Sequence, residues 1–257
     1  MKNNKQQGFT IIELLLSMVF GLIVLSGVTY IYIAVIVSSA ETLKSSKLNS
    51  QMMTVMGVMR NDIRRAGYWG NVEDPASENP FSQVDDSTVV VIDSKSSNIA
   101  IEDNTNSSGE CILYAYDLDK NGIIDINSEY MGFRLNSGVI QMRIASEVTD
   151  GDNCNNGSWA DVTDVYIYKI TSLSFNPQGS ACVNNSEPDG VDNVGSLAGI
   201  DDNGERDCYT VAPDALDITV ETREIDISMT GVLVSDSDIT YTLSETVRVR
   251  NDMVRIR

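Results

Sequence analysis

The acidic stretch from Asp117 to Glu129 has the residue types and spacing of a calcium-binding loop. It opens D-x-D-x-N-G, and such loops place oxygen ligands at positions one, three and five, a turn glycine at six and a main-chain carbonyl at seven. Ca²⁺ would neutralise carboxylates that otherwise repel one another, so a structural Ca²⁺ is the only cofactor that the sequence predicts. The predicted ligands are Asp117, Asp119, Asn121, Ile123 through its carbonyl, Asp125 and Glu129.

Two features separate this loop from an EF-hand. The glutamate expected at position twelve comes one residue late, at Glu129, and the flanking segments have the alternating pattern of strands rather than helices. An acidic hairpin turn is the competing interpretation, because Asn121-Gly122 alone favours a type I′ turn. Both interpretations stay open at this stage.

Catalytic chemistry is not indicated. The chain contains no histidine, which excludes Ser-His and Cys-His nucleophile pairs and every His-ligated metal site. No glycine-rich phosphate loop and no nucleophile elbow occurs in the sequence. We therefore expect no enzymatic activity and assign no catalytic residue.

The net charge bears on the choice of partners. Among 257 residues, 37 acidic against 18 basic side chains give a formal net charge of −19. A surface this acidic repels phosphate backbones, so direct binding of nucleic acid is not expected.

The four cysteines predict disulfides. Cys111, Cys154, Cys182 and Cys208 are even in number and lie beyond an apolar N-terminal run. A zinc site is disfavoured, because CxxC spacing and histidine are both missing. Of three possible connectivities we favour Cys111–Cys154 with Cys182–Cys208, because the loop Asn176–Pro213 has little apolar material and closes best through its own two cysteines.

The apolar run predicts a membrane-spanning helix. No residue from Leu14 to Val37 is charged, and at about 1.5 Å per residue this length reaches roughly 36 Å, enough to cross a hydrocarbon core of about 30 Å. The run is too long for a secretory signal peptide. Lys2 and Lys5 keep the N-terminus cytoplasmic by the positive-inside tendency, so the remaining chain is expected outside the inner membrane.

Glu13 needs a cationic partner. A carboxylate in an apolar helix costs about 2.5–3.5 kcal/mol at the helix centre and less near its end. A plain signal anchor fits the length of the run but does not explain this acid. An α-amino group freed by cleavage before Phe9 would supply a cation at the required depth.

These N-terminal residues resemble the signature of the type IV pilin and pseudopilin family. Gly8 is followed by Phe9-Thr-Ile-Ile-Glu13 and then by the long apolar helix. The resemblance implies that a prepilin peptidase cuts between Gly8 and Phe9 and N-methylates Phe9. It also implies that Glu13 meets the N-terminal amine of a neighbouring subunit in a filament.

The resemblance continues into the next segment. Residues 60 to 68 read R-N-D-I-R-R-A-G-Y, and this string is similar to the minor pilin family PilW and its type II secretion counterpart, pseudopilin J, except that Asn61 splits an Arg-Asp pair. Gly67 is a natural end for the helix. Spacings of three and four mark one apolar helix face, which comprises Leu48, Met52, Val55, Met59, Ile63 and Ala66.

The pattern changes to short alternating runs after Gly70, which predicts an α+β protein. The predicted strands are Thr88–Ile92, Cys111–Tyr116, Met131–Leu135, Gly138–Ile144, Val165–Phe175, Leu216–Met229 with a kink at Thr222–Glu224, and Ile239–Val249. Asn136-Ser137-Gly138 predicts a hairpin, and Glu73–Asp86 and Asn176–Pro213 predict loops. The expected architecture is a pilin fold: a long N-terminal α-helix, with a transmembrane half and an amphipathic half, packed on an antiparallel β-sheet domain with long disulfide-closed loops.

The predicted organisation has four parts: a leader peptide at 1–8, a transmembrane and assembly helix at 9–37, the amphipathic half of the helix at 38–70, and a periplasmic or extracellular β-rich domain at 71–257. The resemblance implies a PilW-like minor pilin that primes type IV pilus assembly with other minor pilins at or near the tip. The implied partners are the major pilin, other minor pilins, the prepilin peptidase and the inner membrane, with later display on the fimbrium. A J-type secretion pseudopilin and a tip adhesin that mediates cell adhesion are the alternatives.

Overall fold

The computed structural model contains one long helix and twelve strands in the residues that it describes: 10–70, 79–82, 89–92, 108–125, 127–145, 154–155, 157–177, 179–185, 206–207 and 217–256. Helix α1 spans Ile11–Ile63, and Pro80–Ser82 form a short 3₁₀ helix. The strands are β1 (Val89–Ile92), β2 (Cys111–Ala115), β3 (Tyr130–Asn136), β4 (Val139–Ala145), β5 (Ser158–Asp161), β6 (Tyr168–Asn176), β7 (Ala181–Asn184), β8 (Arg206–Asp207), β9 (Ile218–Thr222), β10 (Glu224–Leu233), β11 (Asp236–Arg248) and β12 (Met253–Ile256).

The strands form three antiparallel sheets rather than the single sheet expected from the sequence. A five-stranded meander has the order β1-β2-β3-β4-β5, a three-stranded sheet the order β11-β10-β6, and a four-stranded sheet the order β12-β9-β7-β8. The α+β class and the antiparallel pairing are confirmed. An isolated bridge between Gly109 and Phe175 joins the first two sheets.

The kink predicted near Thr222–Glu224 is the point where the chain changes sheets. β9 pairs with β7 and β12, whereas β10, which starts one residue after Arg223, pairs with β6 and β11. Arg223 and Glu221 are both buried at this corner and form an ion pair. Arg223 also accepts the N–H of Val249 on its carbonyl, so the corner is held by side-chain and main-chain bonds.

The predicted hairpin at Asn136-Ser137-Gly138 is confirmed. Asn136 pairs with Val139, and the two loop residues both have positive φ, 54° at Ser137 and 86° at Gly138. Two consecutive positive φ values are what a two-residue I′ turn requires.

The predicted residue bounds of several strands and loops were wrong. The run Val165–Phe175 begins as a turn, because Asp164 accepts the N–H groups of Tyr166, Ile167 and Tyr168 on its side chain and carbonyl. The predicted loop Asn176–Pro213 contains β7 and β8. These strands have only four and two residues, too few for a period of two to show among Asn, Pro and Gly. β5 and β12 were missed for the same reason.

The structure divides into two compact units, residues 1–47 and 48–257. In the first unit, the helix side chains from Ile11 to Val37 are exposed. In the second, the predicted apolar face is confirmed: Ala66 is buried, as are the six helix residues Leu48, Met52, Val55, Met56, Met59 and Ile63. They share one hydrophobic core with residues of β2, β3, β6 and β10.

Asp62 anchors the end of the helix to β2. Its Oδ2 accepts the hydroxyl of Tyr114 at 2.5 Å, and its Oδ1 accepts the hydroxyl of Tyr116 at 2.9 Å. Burial, with the negative charge of Asp62, raises the pKa of both tyrosines well above the usual value. Both hydroxyls therefore remain protonated donors at neutral pH. Arg65 lies over the Tyr116 ring, 4.1 Å from its centroid.

The helix is followed by a turn that leads directly to the strands. Gly67 has φ 71° and its N–H donates to Ala115 O at 2.8 Å, which confirms the predicted stop near this glycine. A second main-chain bond joins the same two segments: Asp117 N donates to Tyr68 O at 2.9 Å. The segment 67–70 is thus fixed alongside the end of β2.

We predict that Tyr114→Phe lowers the free energy of unfolding by about 1–3 kcal/mol, because Asp62 loses a buried donor while its charge remains. Urea unfolding of the full chain in detergent measures this loss. Tyr166→Phe is the matched control, since Tyr166 is 87% exposed. Equal urea midpoints for the two variants would contradict the anchoring role.

Candidate functional site

The predicted processing residues lie outside the described part of the chain, whereas the predicted assembly residue lies within it. Gly8 and Phe9 lie outside the described residues. Glu13 lies in the first turn of α1, where it is exposed, and its N–H donates to Thr10 O at 3.1 Å. The helix is long and apolar enough to cross a membrane. Glu13 is therefore the only charged residue between the start of α1 and Glu41.

The acidic loop lies between β2 and β3, and it brings three of the predicted ligands together. One carboxylate oxygen from each of Asp117, Asp119 and Glu129 lies within 4.8 Å of the others. Asp117 and Glu129 are 0% and 1% exposed, whereas Asp119 is exposed. The site is therefore a cluster of three acids with two of them in the protein interior.

Main-chain N–H groups orient the two buried carboxylates. Asp117 Oδ2 accepts from Gly70 N at 2.8 Å and from Gly122 N at 3.0 Å. Glu129 Oε1 accepts from Leu118 N and its Oε2 from Asp125 N, both at 2.7 Å. The other oxygen of Asp117, Oδ1, is buried and has no hydrogen-bond partner.

A turn after Asp125 accommodates the late position of Glu129 in the loop. The chain makes a turn after Asp125, in which the N–H groups of Ser128 and Glu129 both donate to Asp125 O, at 3.2 and 2.9 Å. This turn takes up the additional residue and returns the Glu129 side chain towards Leu118.

The remaining predicted ligands are not in the cluster of three acids. Asp125 accepts hydrogen bonds from Ser128 and Asn127, which lower the pKa of its carboxyl. Asn121 donates through Nδ2 to Asp119 Oδ2 at 2.8 Å, and its Oδ1 accepts the N–H of Ile123 at 2.6 Å. The role predicted for the Ile123 carbonyl stays a prediction.

Two residues that contact the acidic loop, Gly70 and Trp69, were not found from the sequence. A Cβ on Gly70 would lie 2.8 Å from Asp117 Oδ2 and 3.0 Å from Lys120 Cα, so only glycine fits this approach without displacing the loop. Trp69 donates its indole N–H to Gly122 O at 3.0 Å. Both precede the loop by about fifty residues, and no motif spacing could connect them with it.

The cysteine prediction is confirmed for one pair. Cys111 and Cys154 form a disulfide that closes a sequence separation of 43 residues. Cys182 is buried and takes part in a disulfide, while Cys208 lies outside the described residues. The Cys182–Cys208 pairing therefore stays a prediction.

Comparisons with known proteins define the class. The prokaryotic N-terminal methylation motif matches residues 3–29, and the family model described as prepilin peptidase-dependent protein B matches residues 41–249, which is more than half of the chain. A prepilin-type N-terminus followed by an antiparallel sheet unit is the arrangement of a pilin-like protein. The chain belongs to the prepilin peptidase-dependent protein B family. These families are structural proteins, so the expectation that the chain is not an enzyme is confirmed.

One curated relative gives a more distant match. An uncharacterized protein of Haemophilus influenzae is 24% identical over 163 residues, which cover 51% of this chain and 66% of that protein. The match thus spans slightly less than two thirds of the relative. No solved structure matches the chain. With the methylation motif, the apolar helix indicates a membrane anchor.

We predict that non-reducing tryptic mapping will recover two cross-linked peptide pairs, Cys111 with Cys154 and Cys182 with Cys208. Lysines and arginines separate the four cysteines onto four peptides, so mass spectrometry distinguishes all three connectivities. Replacing Cys111 and Cys154 together by alanine removes the closure of 43 residues and is expected to cost about 4 kcal/mol of stability in the chain-entropy model. Recovery of a peptide that joins Cys154 to Cys182 or Cys208 would contradict the pairing.

Proposed function

We propose that this protein is a PilW-like minor pilin that primes assembly of a type IV pilus. In this proposal α1 holds the chain in the inner membrane, with the sheet unit in the periplasm, until the prepilin peptidase has processed the N-terminus. The mature subunit then joins other minor pilins and the major pilin in a complex at or near the pilus tip. The methylation motif and the family match support this assignment.

Glu13 is the observation that carries the proposal. It lies in the first turn of a helix whose next charged residue is Glu41, so its carboxylate needs a cation within an apolar environment. The α-amino group of Phe9 in a neighbouring subunit, freed by cleavage, has the required charge. Pairing of the two would set the axial register of adjacent subunits, while the apolar side chains pass from lipid to contacts with other helices.

The sheet unit suits an external position. From Asn71 to Asp217 the sequence has 6 basic and 27 acidic residues, a balance of −21, which favours solubility and disfavours contact with nucleic acid. The Cys111–Cys154 disulfide suits an oxidising compartment such as the periplasm. Three antiparallel sheets also leave strand edges, such as that of β11, that partner subunits could contact.

A J-type pseudopilin of a type II secretion system would use the same helix chemistry. Gene inactivation separates the two systems, because loss of surface pili supports the pilus assignment and loss of protein secretion with intact pili supports the pseudopilin.

We predict that the mature protein begins at N-methylated Phe9. Intact-mass and N-terminal peptide measurements on chain purified from cells with an active prepilin peptidase should show loss of residues 1–8 and gain of one methyl group. Gly8→Val should retain the leader. Gly21→Ala, where an added Cβ meets nothing within 4 Å, should be processed normally. A leader that remains on the wild-type chain would oppose the assignment.

We predict that Glu13→Gln sharply reduces the number of surface pili, because the amine of the neighbouring subunit loses its carboxylate partner. Electron microscopy of a strain complemented with the variant measures this number. Glu41→Gln is the matched control: it changes another exposed glutamate of α1, beyond the apolar run, and should leave piliation intact. Normal piliation with Glu13→Gln would remove the basis of the proposed pairing.

A further inference from the structure

We propose that Asp117, Asp119 and Glu129 bind one Ca²⁺ between β2 and β3. Their carboxylate oxygens lie within 4.8 Å of one another, a separation that oxygens around a single ion can have when each lies 2.3–2.6 Å from it. The site is independent of the assembly chemistry at Glu13, because it is built from residues of the sheet unit alone.

The unpartnered oxygen of Asp117 points to a ligand at this site. Asp117 is fully buried, its Oδ2 accepts two N–H groups, and its Oδ1 has no hydrogen-bond partner. A buried carboxylate oxygen without a partner carries a substantial desolvation cost. A bound cation would satisfy this oxygen and use the arrangement that the Gly70 and Gly122 N–H groups impose.

The local charge balance also favours a cation. No lysine or arginine forms an ion pair with Asp117, Asp119 or Glu129 within the part of the chain that the structure describes. The stabilising contacts that these acids receive are hydrogen bonds from N–H groups. Such bonds do not remove the mutual repulsion of three carboxylates, whereas a divalent ion does.

The donor set selects Ca²⁺ among divalent ions. All three side chains are hard oxygen donors, and the chain has no histidine, so zinc and copper lack their preferred ligands. Mg²⁺ requires near-ideal octahedral geometry at 2.0–2.1 Å, whereas Ca²⁺ accepts six to eight oxygens in flexible arrangements. Three carboxylates supplemented by water or main-chain oxygens fit Ca²⁺ better than Mg²⁺.

The structure narrows the ligand set predicted from the sequence. Asp125 is not one of the clustered acids, and its carboxylate accepts hydrogen bonds from Asn127 and Ser128. Asn121 donates its amide N–H to Asp119 Oδ2. The Asn121 and Asp125 side chains shape the loop, whereas the three clustered acids hold the ion. This distinction separates the proposal from a complete EF-hand-like loop and can be tested residue by residue.

Binding would also stabilise the connection between helix and sheet. The Gly70 N–H and the Trp69 indole are both bonded to this loop. An ion at Asp117 would therefore fix the segment that follows α1 as well as the loop itself.

The test is titration of CaCl₂ into the full chain in detergent after removal of bound ions with EDTA. We expect uptake of one Ca²⁺ per chain by calorimetry, with a rise in the thermal midpoint that MgCl₂ at the same concentration does not reproduce. Asp119→Asn, an exposed change, should lower the affinity by roughly tenfold or more. Asp164→Asn is the matched control, because Asp164 is an exposed loop acid that also accepts a main-chain N–H.

One more variant tests the set of three ligands. Asp125→Asn should retain the affinity within about threefold, since it leaves all three ligands in place. No Ca²⁺ uptake by the wild-type chain, or equal affinities of the Asp119 and Asp164 variants, would overturn the proposal. Loss of binding in Asp125→Asn alone would overturn the three-carboxylate set.

Discussion

The second half of α1 remains ordered because strands cover its apolar face. Without that cover, the face from Leu48 to Ile63 would meet water, and packing rather than propensity stabilises most helices. The last turn of this helix carries Asp62, whose carboxylate accepts hydrogen bonds from the hydroxyls of Tyr114 and Tyr116. The chain then passes through Gly67 to Gly70, whose N–H meets Asp117. The position of the acidic loop thus follows from the docking of the helix.

The sequence predicted the helix and most long strands, because their periods are clear over many residues. It could not predict that the break at Arg223 separates two sheets, since a kink and a sheet change have the same local signal. The short strands β5, β7, β8 and β12 contain too few residues to show alternation. The Tyr114 and Asp62 contact was also hidden, because 52 positions separate the two residues.

For the acidic loop, spacing alone identified the residue types but not which of them lie together in the fold. Asp117 and Asp119 of the D-x-D start lie close to each other, and Glu129 lies with them despite its late position, because a turn at Asp125 absorbs the additional residue. Side chains of Asn and Asp can bond to their own loop as readily as to an ion. The sequence cannot show which choice each side chain makes, and the contribution of Gly70 depends on tertiary structure.

The buried face of the helix is rich in methionine. Three of its six buried residues are Met52, Met56 and Met59. Met52 packs closely against Gly231, where an added Cβ would lie 2.8 Å from the methionine sulfur. Thioether chains are unbranched and polarisable, so they adjust to surfaces of different shape. A single apolar substitution on a strand opposite this helix can therefore be accommodated by a change of methionine rotamer, without a compensating change on the helix.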